Sequence, residues 1–367
     1  MNFVIACGGT GGHIYPGIAA AERLRARFPG CGILFVGSQG NMETELVPRE
    51  GWDIRTIRAY SFHRSVKPAD IWHNVRGVIG NVAAIGRSRI IINEYKPSCV
   101  IGTGGYVCYP VLRAAVSLGV PAVIHESNAG PGLTTRLLEP YVDKILIGFE
   151  ESLGCYKRRE KVEVVGMPVR SGFVPRERVK RGGRLPRLLS LWGSLGASRM
   201  NDLTAQIIAM NEKEGAFSHT HVTGGGEQGV ERMRARLEEL GVVGLKYTKL
   251  CPYIYNMAET MADCDMAMCR SGASTLGELS AMGIPALLIP SVNVTANQQE
   301  KNARVPEGRG GAVVLTEDVC TAEKMFDTIK SVIRDESRLR TMSEAMSSLY
   351  RPDAADRIAF AAAELSV

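Results

Sequence analysis

This chain of 367 residues lacks several patterns that mark particular classes of protein. Its nine cysteines are scattered without a Cys-x-x-Cys pair, so their spacing predicts free thiols in a reducing compartment rather than disulfides or a metal cluster. No apolar run approaches the roughly 20 residues that a membrane-spanning helix needs. The segment Met1–Cys7 has no basic start and no cleavage site, so we expect a first strand and not a signal peptide. What remains is a globular protein.

The chain carries a small excess of positive charge. The net charge of +6 favours anionic partners, such as phosphates or an acidic membrane surface. We expect no nucleic-acid partner.

The length of the chain suggests two domains. Strand-like apolar segments alternate with helical periodicity in both halves. This alternation predicts the α/β class, with two doubly wound, Rossmann-like domains that face each other across a cleft. We place the N-terminal domain at residues 1–165 and the C-terminal domain at residues 166–349, with a hinge at 166–170 and a basic connector at 176–187.

A glycine-rich turn follows the first predicted strand. The run Gly8-Gly-Thr-Gly-Gly-His13 separates that strand from a helical segment, an arrangement that can cradle a phosphate. No Gly-Lys-Ser/Thr follows, so this is not a Walker loop. Histidine ordinarily titrates near neutrality, which makes His13 a candidate general base or oxyanion donor. The alternative is a histidine that only caps the helix.

Two further polar turns follow predicted strands in the first half. One is Gly102–Tyr106, and the other is His125–Asn128. Because ligands bind at the carboxyl edge of an open parallel sheet, we expect these turns to converge with the His13 turn. His125 is a rival base, although its place after a buried strand indicates that it orients Glu126 and Asn128.

The second half is organised around the stretch Arg270–Glu278. A short apolar strand precedes it, and Ser271–Thr275 forms a small-residue turn that opens a helix. Such a turn offers free N–H groups and the positive end of the helix dipole to a phosphate. Glu278, about one turn inside the helix, could then reach a ribose diol. The alternative is an ordinary capped helix.

A long helix is predicted over residues 69–92. Most of its apolar residues are expected to face the core. A sharper hypothesis is that part of its surface contacts an anionic bilayer. The residues of that surface are Trp72, Val75 and Ile79, flanked by Arg76, Arg87 and Arg89.

Together these motifs resemble those of the bacterial glycosyltransferases that add N-acetylglucosamine to lipid I, the undecaprenyl-diphosphate-linked muramyl pentapeptide. The resemblance runs through nearly the whole chain. The motifs that carry it are Gly8–His13, Gly104–Tyr106, His125–Asn128, Gly193-Ser194, Arg270–Ala273, Glu278 and Gln298-Gln299. It implies a GT-B fold, UDP-N-acetylglucosamine as donor, inversion at the sugar C1, no metal and no cofactor. It also implies that a C-terminal helix, residues 350–367, packs back on the first domain.

The resemblance also implies a role for individual residues. Ile254 lies by the uracil and Glu278 by the ribose, while Ser194 and Arg170 hold the diphosphate. The base is either His13 or Glu126. Departures at Ser127 and Ser274, and a longer loop before the glutamines, leave open which glutamine contacts the sugar. The predicted substrate-binding residues are Thr10, Gly11, Gly12, Tyr106, Asn128, Arg170, Ser194, Ile254, Arg270, Ala273, Ser274, Thr275, Glu278, Gln298 and Gln299.

The implied partners are UDP-N-acetylglucosamine, the lipid-linked muramyl pentapeptide, an anionic membrane surface and other cell-wall synthesis proteins. The expected location is peripheral, at the cytoplasmic face of the plasma membrane. Alternatives are a transferase directed to another lipid such as diacylglycerol, a UDP-N-acetylglucosamine 2-epimerase, or a non-catalytic sugar-nucleotide-binding module. A nicotinamide oxidoreductase is disfavoured, because the second strand ends in Gly37-Ser38 and not in an acidic residue.

Overall fold

A computed structural model of the protein describes residues 1–60, 68–175, 182–193 and 197–366. At positions 68–76, 78 and 295 it describes the backbone alone. Ser194 therefore lies outside the described residues, as do the side chains of Trp72, Val75 and Arg76. The chain divides into two compact units, Met1–Ser171 with Arg351–Val367, and Gly172–Tyr350.

The first unit is built on a parallel sheet of seven strands. Their order is β3-β2-β1-β4-β5-β6-β7. The strands are β1 (Asn2–Ala6), β2 (Gly32–Ser38), β3 (Asp53–Ile57), β4 (Cys99–Gly102), β5 (Ala122–Glu126), β6 (Lys144–Ile147) and β7 (Val162–Val164). The helices between them are α1 (Gly11–Arg27), α2 (Glu43–Arg49), α3 (Pro68–Tyr95), α4 (Cys108–Ser117) and α5 (Leu133–Leu138).

The central strand β1 is buried on both faces of this sheet. Phe3 and Ile5 pack into one apolar cluster, and Val4 packs into the other. Side chains alternate between the faces of a strand, so a strand covered on both sides needs an unbroken apolar run. That run brings the turn after β1 to the carboxyl edge of the sheet.

The second unit contains a parallel sheet of six strands in the order β10-β9-β8-β11-β12-β13. The strands are β8 (Arg187–Leu191), β9 (Ser218–Val222), β10 (Thr248–Cys251), β11 (Met266–Cys269), β12 (Ala286–Leu288) and β13 (Ala312–Val314). The helices are α6 (Ser198–Glu214), α7 (Gly226–Glu239), α8 (Met257–Ala262), α9 (Ala273–Met282), α10 (Gln298–Arg309), α11 (Ala322–Ile333) and α12 (Glu336–Ser347).

The last helix, α13 (Ala354–Glu364), belongs to the first unit. Its apolar face joins the cluster that contains α1. Its polar face is tied down by ion pairs, with Asp356 3.0 Å from Arg27 and Arg357 2.7 Å from Glu163.

Helix α3 carries exposed apolar side chains on part of its described surface. Ile79 is 68% exposed and Val82 is 65% exposed, whereas Ala84, Ile91 and other residues of the same helix are buried in the core. Among the described residues, no helix is long and apolar enough to cross a membrane.

Candidate functional site

The turn after β1 is an exposed glycine turn at the start of a long helix. Gly9 has a φ of +91°, a conformation that favours glycine, and α1 begins at Gly11 after Thr10. The first turn of α1 contains no acidic residue. The His13 N–H already donates to the Thr10 carbonyl oxygen at 3.0 Å. The N–H groups of Gly11 and Gly12 precede the intrahelical ladder, so they can serve as donors to an anion.

His13 lies in this first helical turn and is half-buried. Its Nδ1 is 3.0 Å from the carbonyl oxygen of Gly8. The Thr103 hydroxyl donates to the His13 carbonyl oxygen at 2.7 Å, which ties the turn to the end of β4. The ring is therefore held at the carboxyl edge of the sheet.

The second glycine turn packs directly on the first. A Cβ on Gly104 would lie 2.4 Å from Cδ2 of His13, and a Cβ on Gly105 would lie 2.2 Å from the carbonyl oxygen of Gly8. Both glycines have positive φ, +119° and +87°. No other residue fits at either position without displacing the histidine or the first turn.

Glu43 supports the first turn from α2, and sequence reasoning missed this role. It is fully buried and accepts two backbone hydrogen bonds, from Gly9 at 3.0 Å and from Ser38 at 2.9 Å. The available signal was an acidic residue in the first turn of a helix that follows a strand. The sequence could not show that its carboxylate reaches the glycine turn.

Tyr106 is positioned by the loop after β2. Its hydroxyl accepts from Asn41 Nδ2 at 2.5 Å and donates to the Ser38 hydroxyl at 3.2 Å. Its ring approaches Gly9, with 4.0 Å between Cε1 and the position of a Cβ on that glycine. Tyr106 therefore forms one side of the glycine turns.

Glu126, at the end of β5, is buried and its carboxylate is fully engaged. Oε1 accepts from the backbone and side-chain nitrogens of Asn128 at 3.1 and 2.9 Å. Oε2 accepts from the Gly132 N–H at 2.8 Å and from the Thr135 hydroxyl at 2.6 Å. Four donors occupy the acceptor sites of one carboxylate. This arrangement holds the loop and orients Asn128.

His125 makes different contacts from those expected. Its Nε2 is 3.1 Å from the Gly166 carbonyl oxygen, and its Nδ1 is 3.3 Å from the Ser127 hydroxyl. Burial lowers the pKa of His125 to about 4. It is a neutral, buried residue bonded to Gly166 and Ser127, and these hydrogen bonds do not include Glu126 or Asn128.

Arg170 lies against the first helix. Its guanidinium is 4.1 Å from the ring centroid of Tyr15, two residues after His13 on α1. Stacking on an aromatic face holds a guanidinium while leaving its charge in place. The predicted diphosphate partner is thus close to the His13 helix within the first unit.

In the second unit, Arg270 is anchored by protein groups. Its Nη1 is 2.6 Å from Glu317 Oε1 and donates to the Ile289 carbonyl oxygen at 3.0 Å. The same glutamate also pairs with Arg199. Arg270 therefore connects the end of β11 to the neighbouring loops, and its predicted contact with substrate stays a prediction.

The starts of α9 and α10 are tied together. The buried Ser271 hydroxyl donates to the Gln299 carbonyl oxygen at 2.6 Å, and Asn302 Nδ2 donates to the Ser271 carbonyl oxygen at 3.2 Å. Two helix N-termini are thus held side by side, which concentrates their positive ends at one place. The role of Asn302 was not predicted from the sequence.

The two adjacent glutamines have different environments. Gln299 Oε1 accepts from the Ser291 N–H at 2.8 Å. Gln298 Oε1 is buried and has no hydrogen-bond partner in the part of the chain that the structure describes. Ala296 and Asn297, just before it, both have positive φ, +59° and +53°. Such strain in two non-glycine residues is typical of a functional turn.

The remaining residues that are predicted to bind the sugar nucleotide lie on α9 and in the loop after β10. Ser274, Thr275 and Glu278 are half-buried at spacings of three and four residues, so they share a face of α9, while Ala273 is buried. Ile254 is half-buried between Tyr253 and Tyr255, whose ring centroids are 4.9 Å apart.

One Asp-x-Asp run, Asp263-Cys264-Asp265, precedes β11 at the amino end of the sheet. Asp263 lies 2.7 Å from Arg187 and Asp265 lies 2.9 Å from Arg184. In the described ranges, no group of three or more His, Cys, Asp or Glu residues is arranged to hold a metal ion.

The structure thus brings the predicted residues into two groups, one in each unit. Thr10, His13, Tyr106, Glu126 and Arg170 belong to the first unit. Arg270, Ala273, Ser274, Thr275, Glu278, Ile254, Gln298 and Gln299 belong to the second.

Comparisons with known proteins give one consistent family. Residues 3–147 match the glycosyltransferase family 28 N-terminal domain and residues 188–358 its C-terminal domain. The UDP-N-acetylglucosamine–N-acetylmuramyl-(pentapeptide) pyrophosphoryl-undecaprenol N-acetylglucosamine transferase of Caldanaerobacter subterraneus is 36% identical over 98% of both chains. The enzyme of the same name from Ruminiclostridium cellulolyticum is 38% identical over 98% of both chains.

Solved structures agree on the fold. MurG of Acinetobacter baumannii superposes with a TM-score of 0.76 at 22% identity, covering 99% of this chain and 100% of that one. The UDP-N-acetylglucosamine 2-epimerase of Neisseria meningitidis gives 0.68 at 12% identity over 99% and 100% of the chains. The predicted α/β, GT-B fold class is confirmed. The chain belongs to glycosyltransferase family 28 and, within it, to the UDP-N-acetylglucosamine-dependent N-acetylglucosamine transferases named above.

Proposed function

We propose that this enzyme transfers N-acetylglucosamine from UDP-N-acetylglucosamine to the 4-hydroxyl of the muramyl sugar of undecaprenyl-diphosphate-linked lipid I, with inversion at the donor C1. The product is lipid II for peptidoglycan synthesis. The observation that carries the proposal is the His13 turn, where an exposed phosphate-type cradle and a positioned imidazole lie together. Sequence identity of 36–38% to transferases of that name, over 98% of the chain, supports the choice of substrates.

His13 is the group that we assign to the acceptor hydroxyl. A hydroxyl is a weak nucleophile until a base within hydrogen-bond reach takes its proton. The Gly8 carbonyl oxygen accepts from Nδ1, so Nε2 carries the lone pair in the neutral ring. The carboxylate of Glu126 has no free acceptor site for the proton of the hydroxyl, because four donors already surround it. It serves as the positioning residue for Asn128.

The leaving UDP develops negative charge that the protein must stabilise. Paired helix N-termini at Ser271 and Gln298, with their free N–H groups, are suited to this charge. Arg170 supplies a cation, and Ser194 completes the predicted diphosphate contacts. A single displacement with inversion requires no covalent sugar–enzyme intermediate, so no nucleophilic carboxylate is assigned.

The remaining contacts assign other residues to the ribose, the uracil and the sugar of UDP-N-acetylglucosamine. Glu278 binds the ribose hydroxyls, and backbone at Ile254 lies against the uracil. Gln298 binds a sugar hydroxyl through its buried Oε1 and Asn128 binds another. Gln299 is assigned a structural role in the loop that contains Ser291, because the Ser291 N–H already donates to its side-chain oxygen.

Transfer is expected to need no metal ion. Each aspartate of the Asp-x-Asp run pairs with an arginine, at the edge of the sheet opposite the predicted site. The decisive assay measures transfer of radiolabelled N-acetylglucosamine to a lipid I analogue in the presence of chelator. Full activity is expected with chelator, and no turnover without acceptor. Restoration by magnesium alone would overturn the metal-free mechanism, and epimer formation without acceptor would favour an isomerase.

Membrane contact is assigned to α3, at the cytoplasmic face of the plasma membrane. Ile79 and Val82 are largely exposed, and Arg87 and Arg89 are exposed on the same helix. Apolar side chains beside basic ones suit an anionic bilayer. In vesicle sedimentation, Ile79→Ser/Val82→Ser should bind anionic vesicles more weakly than the control Val243→Ser, a change at an exposed apolar residue of the second unit. Equal binding by both variants would remove α3 from the interface.

A further inference from the structure

A pocket opens in the first unit, between the ends of β2 and β3 and one face of α3. Its volume is about 420 Å³, and its lining includes Gln39, Arg58, Tyr60, Gly80, Ala84 and Arg87. No residue of this pocket belongs to the two groups of site residues described above, and Arg87 is shared with the α3 surface assigned to membrane contact.

The wall of the pocket is built by specific contacts. Asn81 is buried, accepts from the Tyr60 N–H and donates to the Tyr60 carbonyl oxygen, both at 3.1 Å. A Cβ on Gly80 would lie 2.2 Å from the Tyr60 ring, so the ring lies directly on the helix backbone. The position of Tyr60, and with it the shape of the pocket, is therefore fixed by α3.

The charged side chains that line the pocket are all positive. Arg58 and Arg87 are exposed and form no ion pair with any described residue, and the described lining contains no acidic side chain. Arg58 donates from Nε to Gln39 Oε1 at 3.0 Å, which orients the guanidinium. A planar, oriented guanidinium is suited to bidentate binding of an anion.

The pocket lies on the same sheet edge as the His13 turn. Gln39 donates its N–H to the Ile57 carbonyl oxygen at 3.1 Å, and its neighbour Ser38 contacts both Glu43 and Tyr106. Two strand spacings separate β3 from β1, which is about 10 Å. On α3, the stripe of Gly80, Ala84 and Arg87 adjoins the exposed stripe that contains Ile79 and Val82.

We propose that this pocket binds a carboxylate of the acceptor's pentapeptide through Arg58 and Arg87. The proposal rests on the function proposed above, because it concerns the acceptor of that reaction. An extended peptide of five residues spans up to about 17 Å, enough to reach from a sugar at His13 to a pocket about 10 Å away. The acceptor diphosphate is joined directly to the sugar and is assigned to the glycine turns beside His13. Arg58 and Arg87 thus act as specificity-determining residues for the peptide.

The test compares two water-soluble, short-chain acceptors, one with the pentapeptide and one without it, in the absence of vesicles. Arg58→Gln/Arg87→Gln should raise the KM for the peptide-bearing acceptor roughly 10- to 100-fold. The KM for the peptide-free acceptor and for UDP-N-acetylglucosamine should not change. Arg159→Gln, which removes an exposed arginine near the opposite edge strand β7, is the matched control and should behave as wild type.

A third acceptor, with the carboxylates of its peptide amidated, shows whether a carboxylate is the group that is bound. Amidation should raise the KM of the wild type and have no further effect in the double variant. An equal loss with the peptide-free acceptor would overturn the proposal in favour of the diphosphate, and a loss seen only with anionic vesicles would overturn it in favour of a lipid headgroup. Unchanged kinetics in a folded double variant would also overturn it. Failure of the wild type to transfer to any acceptor would instead refute the proposed function.

Discussion

His13 Nδ1 lies 3.0 Å from the carbonyl oxygen of Gly8, and this contact determines which ring nitrogen can accept a proton. A carbonyl oxygen only accepts hydrogen bonds, so Nδ1 is the protonated nitrogen of the neutral ring. The backbone of Gly105 packs against the same carbonyl, which leaves it no room to turn away. The two glycine turns thus present Nε2 as a base.

The first prediction concerns His13 itself. His13→Ala should reduce kcat by about 10²- to 10⁴-fold, the usual effect of removing a general base. His13→Asn should lose as much, because asparagine can still donate to Gly8 but has no counterpart of Nε2. Steady-state kinetics with saturating donor measure both effects. The acidic limb of the pH–rate profile, which reports protonation of the base, should disappear in both variants.

Donor binding and thermal unfolding are the controls for these variants. UDP-N-acetylglucosamine should bind both with near-normal affinity, since His13 is assigned to the acceptor. Near-normal turnover in His13→Asn, with stability unchanged, would show that Nε2 takes no part. A large loss of rate that keeps the acidic limb would assign His13 to acceptor positioning.

The second prediction distinguishes a positioning glutamate from a base. Glu126→Gln replaces one acceptor oxygen by an NH₂ group that faces N–H or O–H donors. Unsatisfied buried donors cost about 1–3 kcal/mol, so the variant should unfold at lower urea concentration and lose activity with it. Its pH–rate profile should keep the acidic limb.

Thr135→Val provides a matched comparison for Glu126. It removes a single donor, the hydroxyl at 2.6 Å, and leaves the other three in place. A smaller destabilisation, about 1 kcal/mol, is expected. If Glu126→Gln were as stable as wild type and lost its acidic limb, Glu126 would be the base and His13 would not.

The fold and the position of the first turn follow from local patterns. Strands buried on both faces give unbroken apolar runs such as Phe3–Ala6, and parallel strands carry their functional turns at one edge. Gly8 to His13 could therefore be placed from the sequence. These features depend on neighbours in the chain, which is why periodicity and turn chemistry suffice to predict them.

Glu43 and Asn302 illustrate what the sequence could not show. Glu43 binds Gly9 across 34 positions, and Asn302 binds Ser271 across 31. Their roles come from burial between segments that are distant in the chain, and an isolated acid or amide carries no sign of that. The ion pair of Arg270 with Glu317 is a further contact between distant segments that the motif around Arg270 does not indicate.

The third prediction separates the adjacent glutamines. Gln298→Ala removes the buried oxygen assigned to a sugar hydroxyl and should raise the KM for UDP-N-acetylglucosamine roughly 10- to 100-fold, while UDP binds as before. Gln299→Ala removes the acceptor of the Ser291 N–H and should mainly lower stability. Donor kinetics, UDP titration and thermal unfolding of both variants give the comparison. The reverse pattern would exchange the two assignments.

A buried trio in the second unit underlies the last prediction. The Ser190 hydroxyl lies 2.7 Å from His219 Nε2 and 2.7 Å from His221 Nδ1, between β8 and β9. Both rings are almost fully buried. Burial lowers the pKa of His221 to about 3 and that of His219 well below its usual value. Histidine in an unfolded chain has a pKa near 6.5.

The second unit should therefore lose stability as the pH falls below about 6.5, because the unfolded state then binds protons that the folded state excludes. Each histidine adds a slope that approaches about 1.4 kcal/mol per pH unit between pH 6 and pH 4. His219→Gln and His221→Asn keep a nitrogen near Ser190 but cannot titrate. Each variant should therefore reduce the slope of unfolding free energy against pH by the contribution of one proton, about 1.4 kcal/mol per pH unit. Hydrogen exchange of β8 and β9 amides from pH 8 to pH 4 measures this unit alone. The offset between variant and wild type at pH 8 reports lost packing, and only the slope reports protonation. Identical slopes in wild type and both variants would show that these histidines are not linked to unfolding.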